Sequence, residues 1–169
     1  YRYTDSGENT SASGCGNDTA SERYMFRKFM VESTAYWVKE YKLDGLRFDL
    51  MGLHDLETMQ EVERAVHAVN PNAIIYGEGW NMGATMDGSE QANQLNISKI
   101  TPSGDAIGGI AVFNDVIRDG LKGSVFDAEA QGYINGSPEE NIEKVIFGIK
   151  GGADDPTWTV NNAMVINYM

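Results

Sequence analysis

The chain has 169 residues, 41% of them hydrophobic and 10% aromatic, which is the composition of a globular rather than a disordered protein. It carries 25 acidic and 13 basic side chains, and the net charge of −12 argues against binding to nucleic acid or to anionic membrane surfaces. The single cysteine, Cys15, excludes an internal disulfide and a multi-cysteine metal site. No apolar run is long enough to predict a membrane span, and the localisation stays open between a bacterial cytoplasm and secretion.

The first part of the chain predicts a loop followed by a helix. Residues 1–18 are rich in Gly, Ser, Asn, Asp and Thr, which is typical of a surface loop. Thr19 and Glu22 have the spacing of a capping box, so a helix is predicted to begin there. The spacing of three and four residues along this helix predicts a buried face that packs on the rest of the fold. The residues of that face are Phe26, Phe29, Met30, Tyr36, Trp37 and Tyr41.

The remaining chain alternates between short apolar strands and amphipathic helices. Strands are predicted over residues 46–50, 73–76, 109–113 and 165–168. Residues 73–76 are continuously apolar, which predicts a strand covered on both faces. Asp55 is the predicted cap of a second helix, and Ser137 with Glu140 predicts a capping box for a further one. Apolar stripes follow these caps at Leu56, Met59, Val62, Val66 and Val69, and at Ile142, Val145, Ile146 and Ile149.

This alternation predicts an α/β fold with parallel strands and right-handed crossovers. The pattern fits both a doubly wound sheet and an arc of a (β/α)8 TIM barrel. A nucleotide-dependent α/β enzyme is disfavoured, because no Gly-x-Gly-x-x-Gly turn or Gly-Lys-Ser/Thr phosphate loop follows a strand.

Two carboxylates stand at the predicted carboxyl ends of neighbouring strands, where parallel α/β folds place functional groups. Arg47 and Asp49 share one face of the first strand, and the guanidinium is expected to keep Asp49 ionised, as a nucleophile requires. Glu78 has no basic residue within four positions, and Tyr76 and Trp80 are expected to give it a drier environment that suits a proton donor. A structural ion pair remains the alternative interpretation of Arg47 and Asp49.

The sequence around these residues resembles the α-amylase superfamily (glycoside hydrolase family 13), and within it the type I pullulanases. The resemblance rests on residues 44–55, on 76–80 (Tyr-Gly-Glu-Gly-Trp), on 13–23 (Ser-Gly-Cys-Gly-Asn-Asp-Thr-Ala-Ser-Glu-Arg) and on 112–124. It implies that residues 1–169 are an incomplete catalytic (β/α)8 barrel, about strands 4 to 7 with their helices, in which residues 1–18 form a loop before the first helix. Such an internal segment is expected to be inactive alone, since four strands leave two exposed edges.

The resemblance implies retaining hydrolysis of α-1,6-glucosidic branch links in pullulan, branched dextrins or glycogen, with an α-glucan as the partner molecule. Asp49 would be the nucleophile and Glu78 the general acid/base. Arg47 would orient the nucleophile, Trp80 would line a sugar subsite, and His54 would face the cleft or act structurally. The alternatives are an isoamylase or glycogen-debranching enzyme, and a non-catalytic glucan-binding relative.

Other polar residues fit simpler interpretations. His67 is expected to be a surface or packing residue of the second helix, and Cys15 lies in a turn compatible with the substrate cleft. No cofactor is expected. Ca²⁺ binding is not supported, because the acidic pairs lack the spacing of a calcium loop; these pairs are Asp5 with Glu8 and Asp154 with Asp155.

Overall fold

The computed structural model describes residues 1–83, 86–96, 100, 109–151 and 165–168. Within these ranges strands alternate with helices in the predicted order. The strands are β1 (Gly45–Phe48), β2 (Ile74–Gly77), β3 (Ile110–Asn114) and β4 (Val165–Asn167). The α-helices are α1 (Tyr24–Tyr41), α2 (Leu56–Val69), α3 (Asp115–Lys122) and α4 (Pro138–Ile149). Short 3-10 helices cover Met51–Leu53, Gly88–Glu90 and Gln94–Asn96.

The four strands form one parallel sheet in the order β1-β2-β3-β4, which confirms the predicted α/β arrangement. In the register between β1 and β2, Gly45 lies opposite Ile74 and Phe48 opposite Gly77. The predicted first strand ended two residues too late. Asp49 and Leu50 belong to a turn, and Leu50 has a left-handed φ of 44° as the chain enters the 3-10 helix.

The core lies between the sheet and the helices. Ile75, Ile110 and Val112 are completely or almost completely buried on the sheet side. The expectation that β2 is covered on both faces is wrong for the described part of the chain, since Ile74 is 63% exposed. The buried cluster contains Met30, Val38, Met51, Met59, Val62, Val66, Ala73, Ile75, Ala92, Ile100, Ile110 and Val112.

Helix α1 departs from its sequence prediction at both its start and its buried face. It begins at Tyr24 with Arg23 as the N-cap, and no side-chain cap forms. The predicted capping box fails because Glu22 binds the guanidinium of Arg2 at 2.8 Å, and a charge-assisted hydrogen bond is stronger than one to a backbone amide.

Most of the aromatic residues of α1 are not buried by the described part of the chain. The helix buries Met30, as predicted, and Val38, which lies outside the predicted face. Trp37 and Tyr41 stack on one another with ring centroids 4.6 Å apart. Phe29, Tyr36, Trp37 and Tyr41 are between 46% and 62% exposed, so the predicted packing face is wrong for these four.

Helix α2 confirms its prediction more closely. The side chain of Asp55 accepts a hydrogen bond from the Thr58 amide at 2.9 Å and caps the helix. Met59, Val62 and Val66 are fully buried, whereas Val69 at the end of the stripe is 41% exposed. Spacing within one amphipathic helix therefore predicted its buried side correctly.

The third and fourth helices differ from the prediction in two respects. Helix α3 is not predicted by the apolar pattern, since it is only eight residues long and begins directly after β3. Helix α4 begins at Pro138 as expected, but Ser137 makes no capping hydrogen bond, so the predicted capping box does not form. None of the described helices is long and apolar enough to cross a membrane.

The segment before α1 is more ordered than a surface loop. Its backbone is closed by hydrogen bonds from the Arg2 amide to Asp18 O at 2.8 Å and from the Thr10 amide to Arg2 O at 3.0 Å. Arg2, Thr10 and Asp18 are buried. Burial acts to raise the pKa of Asp18, but hydrogen bonds from Ser13, Thr10 and Ala12 outweigh it and lower this pKa to about 2.

Candidate active site

The register of the sheet brings Asp49 and Glu78 to the same edge. Each follows one member of the pair Phe48–Gly77, at the carboxyl ends of β1 and β2. The Glu78 amide donates a hydrogen bond to Phe48 O at 3.0 Å, which extends the strand pairing to the residue that carries the carboxylate. Two acidic side chains therefore lie beside each other at the tips of adjacent parallel strands, which are about 4.8 Å apart.

Arg47 binds both carboxylates. Its Nη1 donates to Asp49 Oδ1 at 2.8 Å, and its Nη2 donates to Glu78 Oε1 at 2.8 Å. The hydrogen bond to Asp49 and the charges of Glu78 and Asp49 raise the pKa of Arg47 above its ordinary value. The planar guanidinium suits this bridge, because its fixed donors hold two oxygen acceptors in a defined relation.

The two carboxylates differ in accessibility. The Asp49 side chain is 75% exposed, whereas that of Glu78 is 20% exposed. Glu78 also accepts a hydrogen bond from the Leu50 amide at 3.0 Å. Glu78 is thus partly buried, but it has a basic neighbour, Arg47, that the sequence around Glu78 did not indicate. Lateral neighbours in a parallel sheet are far apart in sequence, and Arg47 precedes Glu78 by 31 positions.

A close backbone contact holds the loop after β1 against the loop after β2. The Gly52 amide donates to Glu78 O at 2.9 Å. A β carbon on Gly52 would overlap the carbonyl oxygen of Trp80, so only glycine fits here. This contact fixes the backbone around Glu78 relative to the turn that follows Asp49.

A cavity of about 220 Å³ opens beside Asp49. One wall comes from the turn after β1 and the other from the ordered loop before α1. The cavity therefore lies between two segments that are distant in sequence. His54 and Cys15 face it, as two of the interpretations above allowed. The lining residues are Ser13, Cys15, Asn17, Asp18, Thr19, Asp49, Leu50, Leu53 and His54.

His54 is neutral at ordinary pH. Burial lowers its pKa to about 4, the charge of Arg2 adds to the shift, and the charges of Asp55 and Glu22 oppose it. Its Nδ1 atom is buried and has no hydrogen-bond partner in the described part of the chain. Arg2, which pairs with Glu22, also donates to the carbonyl oxygen of the neighbouring Leu53 at 3.2 Å. The loop before α1 thus supports the wall that carries His54.

Trp80 lies two residues after Glu78 and is partly buried. The guanidinium carbon of Arg118 stands 5.9 Å from the centroid of its ring. Arg118 also contacts Tyr168, the residue after β4. Neither Arg118 nor Tyr168 was predicted as a site residue, although a charged residue shortly after a predicted strand is a signal that was available for Arg118.

The remaining candidates lie outside this cluster. His67 is half-buried, and its Nε2 lies 3.0 Å from Ala73 O, as a packing residue would. Asp5 and Glu8 are exposed, and Asp154 and Asp155 lie outside the described residues. In the ranges that the structure describes, no three His, Cys, Asp or Glu side chains are grouped as metal ligands would be.

Comparison with known proteins shows that the chain is similar to pullulanases. A pullulanase of Bacillus subtilis (strain 168) is 34% identical over 153 residues, covering 90% of this chain and 20% of that protein. No protein-family model matches the chain.

Solved structures of pullulanases are also similar to this chain. A pullulanase of Anoxybacillus sp. LM18-11 complexed with maltotetraose superposes with a TM-score of 0.87 at 40% identity, covering 99% of this chain and 23% of that one. A pullulanase of Paenibacillus barengoltzii in complex with maltohexaose and alpha-cyclodextrin gives 0.87 at 36% identity, covering 99% of this chain and 25% of that one. The chain spans a quarter or less of the length of these relatives. Over most of its length the chain is therefore homologous to a segment of the pullulanases.

Proposed function

We propose that the intact protein hydrolyses α-1,6-glucosidic branch links in pullulan, branched dextrins or glycogen, and that Asp49 and Glu78 are its catalytic carboxylates. The observation that carries this proposal is the bridge by Arg47 between two carboxylates at neighbouring strand tips. The related pullulanases that bind maltooligosaccharides support an α-glucan as substrate. In this proposal β1 to β4 are about strands 4 to 7 of a (β/α)8 barrel.

Asp49 is the proposed nucleophile. Its carboxylate accepts a hydrogen bond from Arg47 and is exposed enough to meet a sugar. In the first step an Asp49 oxygen forms a bond to the anomeric carbon, and the bond from that carbon to the branch oxygen breaks. The branch oxygen takes the proton of Glu78, so that the products are a glycosyl ester on Asp49 and a free glucan hydroxyl.

Glu78 is the proposed acid and then the base. After the first step its carboxylate takes a proton from water, and the water oxygen attacks the anomeric carbon. The bond to Asp49 breaks, Asp49 regains its charge and Glu78 regains its proton, with net retention of configuration. Neighbouring strand tips suit this route, because retaining glycosidases hold their two carboxyl groups about 5–5.5 Å apart.

The surrounding residues supply the proposed binding functions. Trp80 offers an aromatic face for a glucose ring, and neutral His54 offers a hydrogen-bonding group on the wall of the cavity that Asp49 also lines. Arg47 orients both carboxylates. This chemistry uses two carboxylates and water and calls for no cofactor.

The test is hydrolysis of pullulan by the intact protein, with Asp49→Asn and Glu78→Gln beside the wild type. Both substitutions are expected to lower kcat by at least about a thousandfold, because each removes a group that reacts. Asp44→Asn, at the opposite end of β1, and Glu40→Gln, on the exposed side of α1, are matched controls that are expected to keep the wild-type rate.

Three results would change the proposal. Near-normal rates in both site variants would refute the two catalytic assignments. Hydrolysis of glycogen without hydrolysis of pullulan would keep the chemistry and move the substrate to the isoamylase type. Binding of maltotetraose without any hydrolysis would favour a non-catalytic glucan-binding protein.

A further inference from the structure

Arg118 stands in the first turn of α3, directly after β3, and is not part of the carboxylate cluster. Its side chain is only 11% exposed. A buried guanidinium is costly unless its charge and its donors are satisfied, so its partners indicate what the residue does.

Those partners fix the guanidinium from two sides. Its Nε donates to the carboxylate of Asp119, and its Nη1 donates to the Tyr168 hydroxyl at 2.7 Å. The guanidinium carbon of Arg118 also lies 5.5 Å from the centroid of the Tyr168 ring. The hydrogen bond to Asp119 is the main cause that raises the pKa of Arg118, so the group is cationic at every relevant pH.

A further contact of this fixed cation is with the indole of Trp80, whose centroid lies 5.9 Å from the guanidinium carbon. An aromatic face attracts a cation through its ring quadrupole, and tryptophan does so most strongly. Trp80 comes from the loop after β2, whereas Arg118 and Tyr168 follow β3 and β4. The guanidinium therefore connects segments that follow three neighbouring strands.

We propose that Arg118 is a positioning residue that holds the indole of Trp80 in the orientation that stacks on a glucose ring of the substrate. This inference rests on the proposed function, because it assigns Trp80 to glucan binding. Arg118 acts through Trp80 and does not touch the reacting atoms. Its loss should weaken glucan binding and leave the chemical step unchanged, since stacking contributes equally to the ground state and the transition state.

The first measurement is binding of maltotriose to the intact protein by calorimetry, in an Asp49→Asn background that removes turnover. Arg118→Gln is expected to raise Kd about fivefold to tenfold, the range of a partly desolvated cation–π contact. Tyr168→Phe, a milder change that removes only the hydroxyl partner, is expected to raise it by about twofold. Lys122→Gln removes an exposed charge from the same helix and is the matched control that is expected to keep the wild-type Kd.

A double-mutant cycle with Trp80→Ala separates positioning from a general structural role. In the Trp80→Ala background, Arg118→Gln is expected to cause no further loss of binding, because the residue through which it acts is gone. With Asp49 restored, Arg118→Gln is expected to raise KM for pullulan while kcat stays within about twofold.

Three results would overturn this inference. They are an unchanged Kd in folded Arg118→Gln, an undiminished effect of that substitution in the Trp80→Ala background, and an unchanged Kd in Trp80→Ala itself. If Arg118→Gln does not fold, the cycle is run with Tyr168→Phe, and the same absence of coupling to Trp80 refutes the inference. A protein that binds maltotriose with the expected coupling but does not hydrolyse pullulan would refute the proposed function and support the role of Arg118.

Discussion

Replacing Arg47 by lysine tests whether the site needs a bridging guanidinium or only a positive charge. Arg47 makes two hydrogen bonds of 2.8 Å, one to Asp49 and one to Glu78. An ammonium keeps the charge but lacks the planar fork that holds two carboxylates in fixed geometry. At most one of the two contacts is expected to survive in Arg47→Lys.

The structure sets two different magnitudes for this change. If Arg47 contributes only charge, the loss of one contact is worth about 1 kcal/mol, or about fivefold in rate, because the side chain is 42% exposed and its contacts are screened by water. If it holds the carboxylates in register, a displacement of about 1 Å between them costs about a hundredfold. We expect the larger loss, in kcat, with KM changed by less than about threefold.

The assay is the initial rate of reducing-sugar release from pullulan by the intact protein over a range of substrate concentrations. Arg64→Lys, the same substitution at an exposed position of α2, is the matched control and is expected to leave both constants unchanged. A kcat within about fivefold of the wild type in Arg47→Lys would refute the bridging role and leave only a charge requirement.

Three further predictions concern stability. Gly52→Ala is expected to destabilise the protein by at least about 2 kcal/mol, since its β carbon would overlap the carbonyl oxygen of Trp80 and backbone must move. Asp55→Ala should lower the free energy of unfolding by about 2 kcal/mol. It removes the carboxylate that caps the Thr58 amide and that binds the guanidinium of Arg27. His54→Gln should reduce the acid sensitivity of the fold. The unfolded protein binds a proton at His54 near pH 6.5, whereas the folded protein binds it only near pH 4. In the wild type this difference therefore lowers the free energy of unfolding by up to about 1.4 kcal/mol per pH unit as the pH falls from 6.5 to 4.

Chemical denaturation followed by circular dichroism measures all three effects, with matched controls. Gly83→Ala adds a β carbon that lies more than 4 Å from every described residue other than its chain neighbours, and Asp5→Ala removes an exposed carboxylate. Equal stability of Gly52→Ala and Gly83→Ala would contradict the close-contact argument, and equal stability of Asp55→Ala and Asp5→Ala would contradict the capping argument. For His54→Gln the slope of stability between pH 6.5 and 4 is compared with that of His67→Gln. Equal slopes would show that burial of His54 does not drive acid sensitivity.

Local periodicity accounts for the part of the fold that the sequence predicted well. The strand positions follow from short apolar runs, and the buried side of α2 follows from the spacing of Met59, Val62 and Val66. The contact between Arg47 and Asp49 was predicted from their two-residue spacing and is present, although Asp49 lies one residue beyond the end of β1. These features depend on residues that are neighbours along the chain, so the sequence contains the information directly.

Competition between distant groups explains the features that were missed. Glu22 binds Arg2, 20 positions away, instead of closing a capping box. Phe29 and Trp37 lie on a helical stripe, yet a stripe does not specify which surface will cover it. When several distant residues could contact the same side chain, the local sequence does not show which of them will do so. The energy of each contact depends on geometry that only the assembled fold provides.

By itself the sequence determined the alternation of strands and helices, the parallel sheet, and the presence of Asp49 and Glu78 at strand ends, because these depend on local spacing and on a resemblance over contiguous segments. Only the tertiary structure decided that Arg47 joins the two carboxylates and that Arg118 contacts the ring of Trp80. The physical reason is the same in both cases. Hydrogen bonds and ring contacts across a parallel sheet are set by strand order and register, and the sequence separation of the partners gives no measure of their distance.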